Sequence, residues 1–290
     1  MSGKEEEEET KRPFPLHQFE CFQLQFSDGL SMFEVLAEEF RFSLEPVTKG
    51  RKGCTATTIE EIDGSDPYVK AALVRSTTRY QGPAIRFTPG LNRIIEELER
   101  LAGLPFRFNN ALVEEYTEQY KSMKFHSDQD VDLQDGTFIA LFSCYRDPIG
   151  KPPTRYLEVK HKETQAMFTV PLEHHSVVVF DVDWTNKTFQ HRIVYKQQDG
   201  SKQPVWMGVT FRQSKTFLDY YKREEDDDNT SFGVYFHGTS HQLHLAGESE
   251  VKDWFCLRNK ENQAKSKDEF SYDPAIDYTI SPGDLLIPLV

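Results

Sequence analysis

Cysteine is scarce in this chain. There are four in 290 residues (Cys21, Cys54, Cys144 and Cys256), far apart and without a C-x-x-C pair. That excludes a disulfide framework and a structural zinc knuckle, and it fits a reducing compartment. Long hydrophobic runs are missing too. No apolar stretch approaches the roughly 20 residues that cross a bilayer, so no membrane partner is expected. The opening MSGKEEEEETKR has no apolar stretch of the kind a signal peptide carries, which makes the expected setting intracellular, cytoplasmic or nuclear. Asn186 and Asn229 each open an N-x-S/T tripeptide, a chance match in that setting. There is no phosphate-cradling glycine loop and no serine-nucleophile elbow.

A broad basic surface is also lacking. The chain has 34 basic and 47 acidic side chains and a formal net charge of −13. The acidity is concentrated at the ends: residues 1–12 carry −2 and residues 223–290 carry −8, which leaves −3 for residues 13–222. This argues against a wholly basic nucleic-acid surface but not against a local basic groove. What the chain does have is core material. At 38% hydrophobic and 13% aromatic it is not a disordered polymer.

Residues 1–12 read as a disordered acidic tail. In SDGLSMFEVLAEEFRF, residues 27–42, Leu30, Phe33, Ala37 and Phe40 form one helical stripe, with Ser27 or Asp28 available as a cap. A mixed stretch, 43–80, contains a basic cluster at Lys49, Arg51 and Lys52. A second helix is clearer in LNRIIEELERLAG, where Leu91, Ile94, Ile95, Leu98 and Leu101 share a face and Gly103 closes the end. From residue 104 the period changes to that of strands: NNALVEEY, GTFIALFSCY, TRYLEVKH, AMFTVPL, SVVVFDV, TFQHRIVY and PVWMGVTF follow one another. Seven short strands after two helices predict a mainly β fold with flanking helices, a barrel or double-sheet jelly roll with the helices packed on one outer face. REEDDDN, residues 223–229, reads as a charged connection to a C-terminal extension ending at residue 290. The His174–His175 pair, just before SVVVFD, reads as a surface turn.

The chemistry is concentrated in KFHSDQDVDL. His126 and Asp128 are spaced so that, on an extended chain, both side chains leave the same face. His191 follows 63 residues later in another strand. Two imidazoles and a carboxylate can occupy one face of an octahedral Fe(II) and leave three positions open; zinc accepts the same set. In PVWMGVTFRQ, Arg212 ends an otherwise apolar strand, where a guanidinium calls for an anion. A small organic acid would supply one, as would a surface carboxylate.

Over residues 80 to 217 the chain resembles the AlkB-type 2-oxoglutarate- and Fe(II)-dependent dioxygenases, through FTPGLNRIIEELERLAG, FRFNNALVEEY, FHSDQD, TRYLEVKHKET, VPLEHHSVVVFD, FQHRIVY and VTFRQ. The resemblance implies a double-stranded β-helix (jelly roll) over residues 13–222, with residues 43–80 as a variable substrate lid. It implies Fe(II) on His126, Asp128 and His191, a 2-oxoglutarate carboxylate on Arg212, and a hydrogen bond from Tyr116 to the co-substrate. It places Asp130 on the substrate side and makes Arg155 a structural or substrate-side residue. The implied substrate is an N-alkylated base in DNA or RNA. A protein or small-molecule substrate, and a non-catalytic binding module, are the alternatives. Three positions depart from the family pattern: Glu114 stands for an asparagine, Trp206 for a second arginine and Gly208 for an asparagine. A carboxylate beside a dicarboxylate is repulsive unless it is neutralised. Lys202 and Arg192 are the candidates to supply the missing charge. Nothing in the sequence specifies an oligomeric state.

Overall fold

The computed structural model describes residues 19–26, 29–62, 68–104, 107–148, 152–197, 204–222, 232–266 and 268–289. The acidic tail, the REEDDDN connection and Lys202 lie outside the described residues. The main sheet contains β1 (Glu20–Gln23), β2 (Glu45–Thr48), β3 (Arg51–Thr57), β6 (Ile85–Arg86), β7 (Asn110–Tyr116), β8 (Phe138–Tyr145), β11 (Ser176–Asp181) and β13 (Trp206–Arg212). Its order is β1-β11-β8-β13-β7-β3-β2, with β6 against β3. A second sheet has the order β10-β9-β12, from β9 (Arg155–His161), β10 (Met167–Pro171) and β12 (Phe189–Tyr195). A third joins β4 (Ile59–Ile62), β5 (Tyr68–Leu73), β14 (Thr216–Lys222) and β15 (Phe232–Phe236) in the order β15-β14-β5-β4. A short parallel pair, β16 (His244–Leu245) with β17 (Tyr278–Thr279), completes the strands. This is the expected mainly β jelly roll.

The main sheet is covered on both faces, which is why its strands read as continuous apolar runs and not as alternations. One face sends Ala140, Phe142, Val177, Val179, Met207, Val209 and Phe211 into a core shared with α1 (Met32–Glu39) and α2 (Pro89–Ala102). The other sends Ile139, Leu141, Val178 and Phe180 toward Leu157, Val159 and Ile193 of the second sheet. The active cavity opens between these two sheets. Helix α2 begins at Thr88, whose hydroxyl accepts from the Leu91 N–H, and ends at Gly103 in the left-handed region (φ 60°); both are standard capping devices. Helix α1 is shorter than its hydrophobic stripe implies. It starts after Ser31, so Leu30 precedes it and is exposed, while Met32, Phe33 and Leu36 carry the contact.

The described residues of 43–80 are mostly sheet, β2 to β5. Arg51–Thr57 is an interior strand, paired residue by residue with β7 from Arg51 opposite Tyr116 to Thr57 opposite Asn110. RKGCTAT hides this because it opens on two charged residues and its buried residues are small (Gly53, Cys54, Ala56 and Thr57). Of the described residues in this stretch, Arg51, Thr55, Val74–Thr78 and Tyr80 line the cavity.

The C-terminal extension also belongs to this body. Helix α4 (Glu248–Gln263) packs Trp254 against Tyr278 and Ile280, and the Trp254 indole donates to the Ser76 carbonyl. Arg75 ties the two parts together. It is buried, binds both oxygens of Asp132 and donates to the carbonyls of Ile276 and Tyr278. No helix among the described residues is long and apolar enough to cross a membrane.

Candidate active site

His126 and His191 are neighbours because residues 122–126 run alongside β12. The His126 N–H donates to the His191 carbonyl at 3.0 Å and the His191 N–H returns a bond to His126 at 2.7 Å. The imidazole centroids are 4.7 Å apart. Asp128 joins them two residues on. Its Oδ2 lies 3.4 Å from His191 Nε2, and its Oδ1 accepts from Arg212 Nη2 at 2.6 Å. The main chain of Asp128 is held by α3 (Asp183–Thr188): its N–H donates to Asn186 Oδ1 and its carbonyl accepts from Asn186 Nδ2. That buried use of the Asn186 amide leaves it no room to carry a glycan. His126, Asp128, His191 and Arg212 all line one cavity of about 480 Å³.

The protonation states follow from the surroundings. Burial pushes the His126 imidazole down to about 3, helped by His191 and Arg258. Burial lowers His191 too, against the opposing pull of Asp128. Burial alone would raise Asp128, but Arg212, His191 and His126 together hold it well below the usual carboxylate range. Two neutral imidazoles and an ionised carboxylate are the forms that ligate a metal. His126 Nδ1 also faces the Lys124 carbonyl at 3.0 Å, which fixes the tautomer and leaves Nε2 for the cavity. Among the described residues no three His, Cys, Asp or Glu side chains form a finished ion cage. The Asp128 carboxylate is engaged by Arg212, and a bound cation would compete with that arginine for it. By donor chemistry the trio fits Fe(II).

The far end of the cavity explains the three departures from the family pattern. Glu114 is neutralised: Arg51 binds its Oε1 and the Tyr116 hydroxyl donates to its Oε2 at 2.7 Å. Trp206 is fully buried, packs against Tyr116 with ring centroids 5.1 Å apart and planes inclined at 51°, and donates its indole N–H to Ser143 Oγ at 2.7 Å. Its ring lies over Gly208, where an added Cβ would run into the indole. Trp206 and Gly208 are therefore one packing unit.

Four candidates from the sequence stand elsewhere. Tyr116 is buried behind the cavity wall, and its hydroxyl serves Glu114. Asp130 pairs with Lys187 at 3.0 Å and lines a second cavity, of about 390 Å³. Arg155 is 1% exposed and donates to the carbonyls of Tyr120 and Thr117, bracing that turn. Arg192 pairs with Glu158. The sequence reading missed Arg51 as a cavity residue, placing it only in a basic cluster, and missed Phe255, Arg258 and Asn262 of the extension, which also line the cavity.

Residues 53–222 match the 2OG-Fe(II) oxygenase superfamily. The match covers more than half of the chain, so the chain belongs to that superfamily: it is a 2-oxoglutarate-dependent dioxygenase that uses Fe(II) and 2-oxoglutarate. A search among curated proteins returned no match. Among solved structures, a prolyl-4-hydroxylase from Pseudomonas putida is similar at 11% identity and a TM-score of 0.40, covering 68% of this chain and 93% of that one.

Proposed function

We propose that His126, Asp128 and His191 hold the Fe(II), and that 2-oxoglutarate lies along the cavity with Arg212 near its iron end and Arg51 at its far end. The observation that carries this is the charge of the cavity wall. In a chain of net charge −13, five cations line the wall (Arg51, Arg75, Lys124, Arg212 and Arg258); Arg51 and Arg212 are paired with the lining carboxylates Glu114 and Asp128, and Arg75 and Arg258 with Asp132 and Glu261 behind it. A dianionic co-substrate suits such a wall. Register supports the role of Arg51. Arg51, Tyr116 and Trp206 stand opposite one another on β3, β7 and β13, so the positive charge missing at Trp206 is supplied two strands away, about 10 Å across the sheet. Iron held by His126, Asp128 and His191 would supply O₂ activation coupled to oxidative decarboxylation of 2-oxoglutarate, the chemistry that hydroxylates a C–H bond.

The substrate we propose is an N-alkylated base of a nucleic acid, in keeping with the AlkB-like sequence features. At the mouth, Phe125 carries Arg192 over its ring at 4.3 Å and Lys160 at 4.7 Å. Lys124 is exposed beside it, and half-exposed Phe255 also lines the cavity. Aromatic faces receive a base, and adjacent cations receive its phosphates. The test is succinate release with Fe(II) and 2-oxoglutarate across methylated DNA, methylated RNA and peptide panels. Turnover on a methylated nucleic acid, abolished in Asp128→Ala, is expected. Turnover on peptides alone would contradict the substrate assignment.

A further inference from the structure

The loop that carries Asp128 is held in part by residues outside the family match. Between residues 127 and 130 the chain leaves strand pairing, so its main-chain groups need other partners. Asn186 takes those of Asp128, the Asp130 carbonyl accepts from the Leu133 N–H at 3.1 Å, and three others go to the last turns of α4. The Ser127 N–H donates to Asn262 Oδ1 at 2.9 Å, the Ser127 carbonyl accepts from Arg258, and the Asp130 N–H donates to Glu261 Oε1 at 2.8 Å. The same helix reaches the other ligand strand, where the Gln190 side chain, next to His191, donates to the Asn262 carbonyl at 2.9 Å. Glu261 is itself fixed by Arg258 at 2.8 Å and by the Tyr272 hydroxyl at 2.7 Å.

Packing alone does not account for this face. The buried residues of α4 are Trp254, Arg258 and Glu261, two of them charged. Burying charges is costly, and apolar residues of similar volume would serve stability as well or better. Directional bonds to two ligand-bearing segments are what the charged pair and Asn262 provide and apolar side chains could not.

We propose that Arg258, Glu261 and Asn262 are positioning residues for the metal site. They lock the 127–130 loop against β12 so that His126 and Asp128 face His191 in a single geometry. This rests on the assignment of those three side chains as the iron ligands. Partners of this outer kind are typically worth 10- to 100-fold in metal affinity. The C-terminal extension is then part of the oxygenase centre.

The test is calorimetric titration of the full-length chain with Mn(II), alongside the thermal midpoint of the metal-free protein. Asn262→Ala removes the acceptor for the Ser127 N–H, whereas Asn262→Asp keeps it. The expected result is Mn(II) affinity about tenfold weaker in Asn262→Ala, within twofold of wild type in Asn262→Asp, and an unchanged midpoint in both. Wild-type affinity in Asn262→Ala would overturn the inference. So would equal weakening in both variants accompanied by a lowered midpoint, which would mark a purely structural role. Asp128→Ala separates the two levels: if it binds Mn(II) like the wild type, the ligand assignment falls, and this inference falls with it.

Discussion

Histidines show how differently one residue type reads in a sequence and in a fold. His126 and His191 were legible because the H-x-D spacing and a distant strand histidine form a chemical pattern. His174 and His175 were not. They stack with centroids 3.8 Å apart, and each accepts a backbone bond: His174 Nδ1 from the Tyr145 N–H at 3.0 Å and His175 Nε2 from the Met32 N–H at 3.2 Å. No local pattern announces acceptors that serve a distant helix and strand. Burial, with His174 and Arg93 adding to it, lowers His175 to about 4, below its ordinary value near 6.5. Between those values the unfolded chain takes up a proton that the folded chain refuses, so this contribution to stability is intact above pH 6.5 and is lost as the pH falls toward 4. The thermal midpoint should therefore drop on acidification from pH 7 to 4.5. The drop should be smaller in His175→Asn, which keeps an acceptor and tolerates the positive φ of 60° found there. Equal slopes in the two proteins, measured by calorimetry in matched buffers, would remove His175 from the account.

At the level of elements, the strands were legible and the context of several was not. All seven β-rich runs became strands, since apolar runs bounded by turn residues admit little else. Strand β3 escaped notice because small buried residues give no periodic signal, and α4 escaped because its inward face is polar. Strand β13 shows what context adds. Trp206 and Gly208 differ from the family pattern together because the indole needs the space a side chain at 208 would take. Gly208→Ala should push the ring off its Ser143 bond and cost about 1–3 kcal/mol, as overpacking in a dense core does. Denaturant unfolding measures this directly. A loss below about 0.5 kcal/mol would mean that the sheet yields where this packing argument says it cannot.

On the scale of the whole molecule, the jelly roll brings three strands and one loop to a cationic cavity, and the C-terminal extension closes the side left open by the barrel. Sequence alone indicated the trio proposed as ligands and Arg212, which the fold brings to one cavity. It did not indicate that Glu114 is neutralised, because Arg51 lies 63 residues earlier and meets it only through strand pairing. The most direct measurement is calorimetric titration of 2-oxoglutarate into the Mn(II)-loaded protein, comparing the wild type with the double variant Arg51→Met/Glu114→Gln, which removes the guanidinium without exposing a bare carboxylate. A charge-assisted hydrogen bond is worth roughly 1.5–3 kcal/mol, so binding should require Mn(II) in the wild type and be about 10- to 100-fold weaker in the double variant. Binding that is equally tight without metal and unchanged in the double variant would contradict the proposed site.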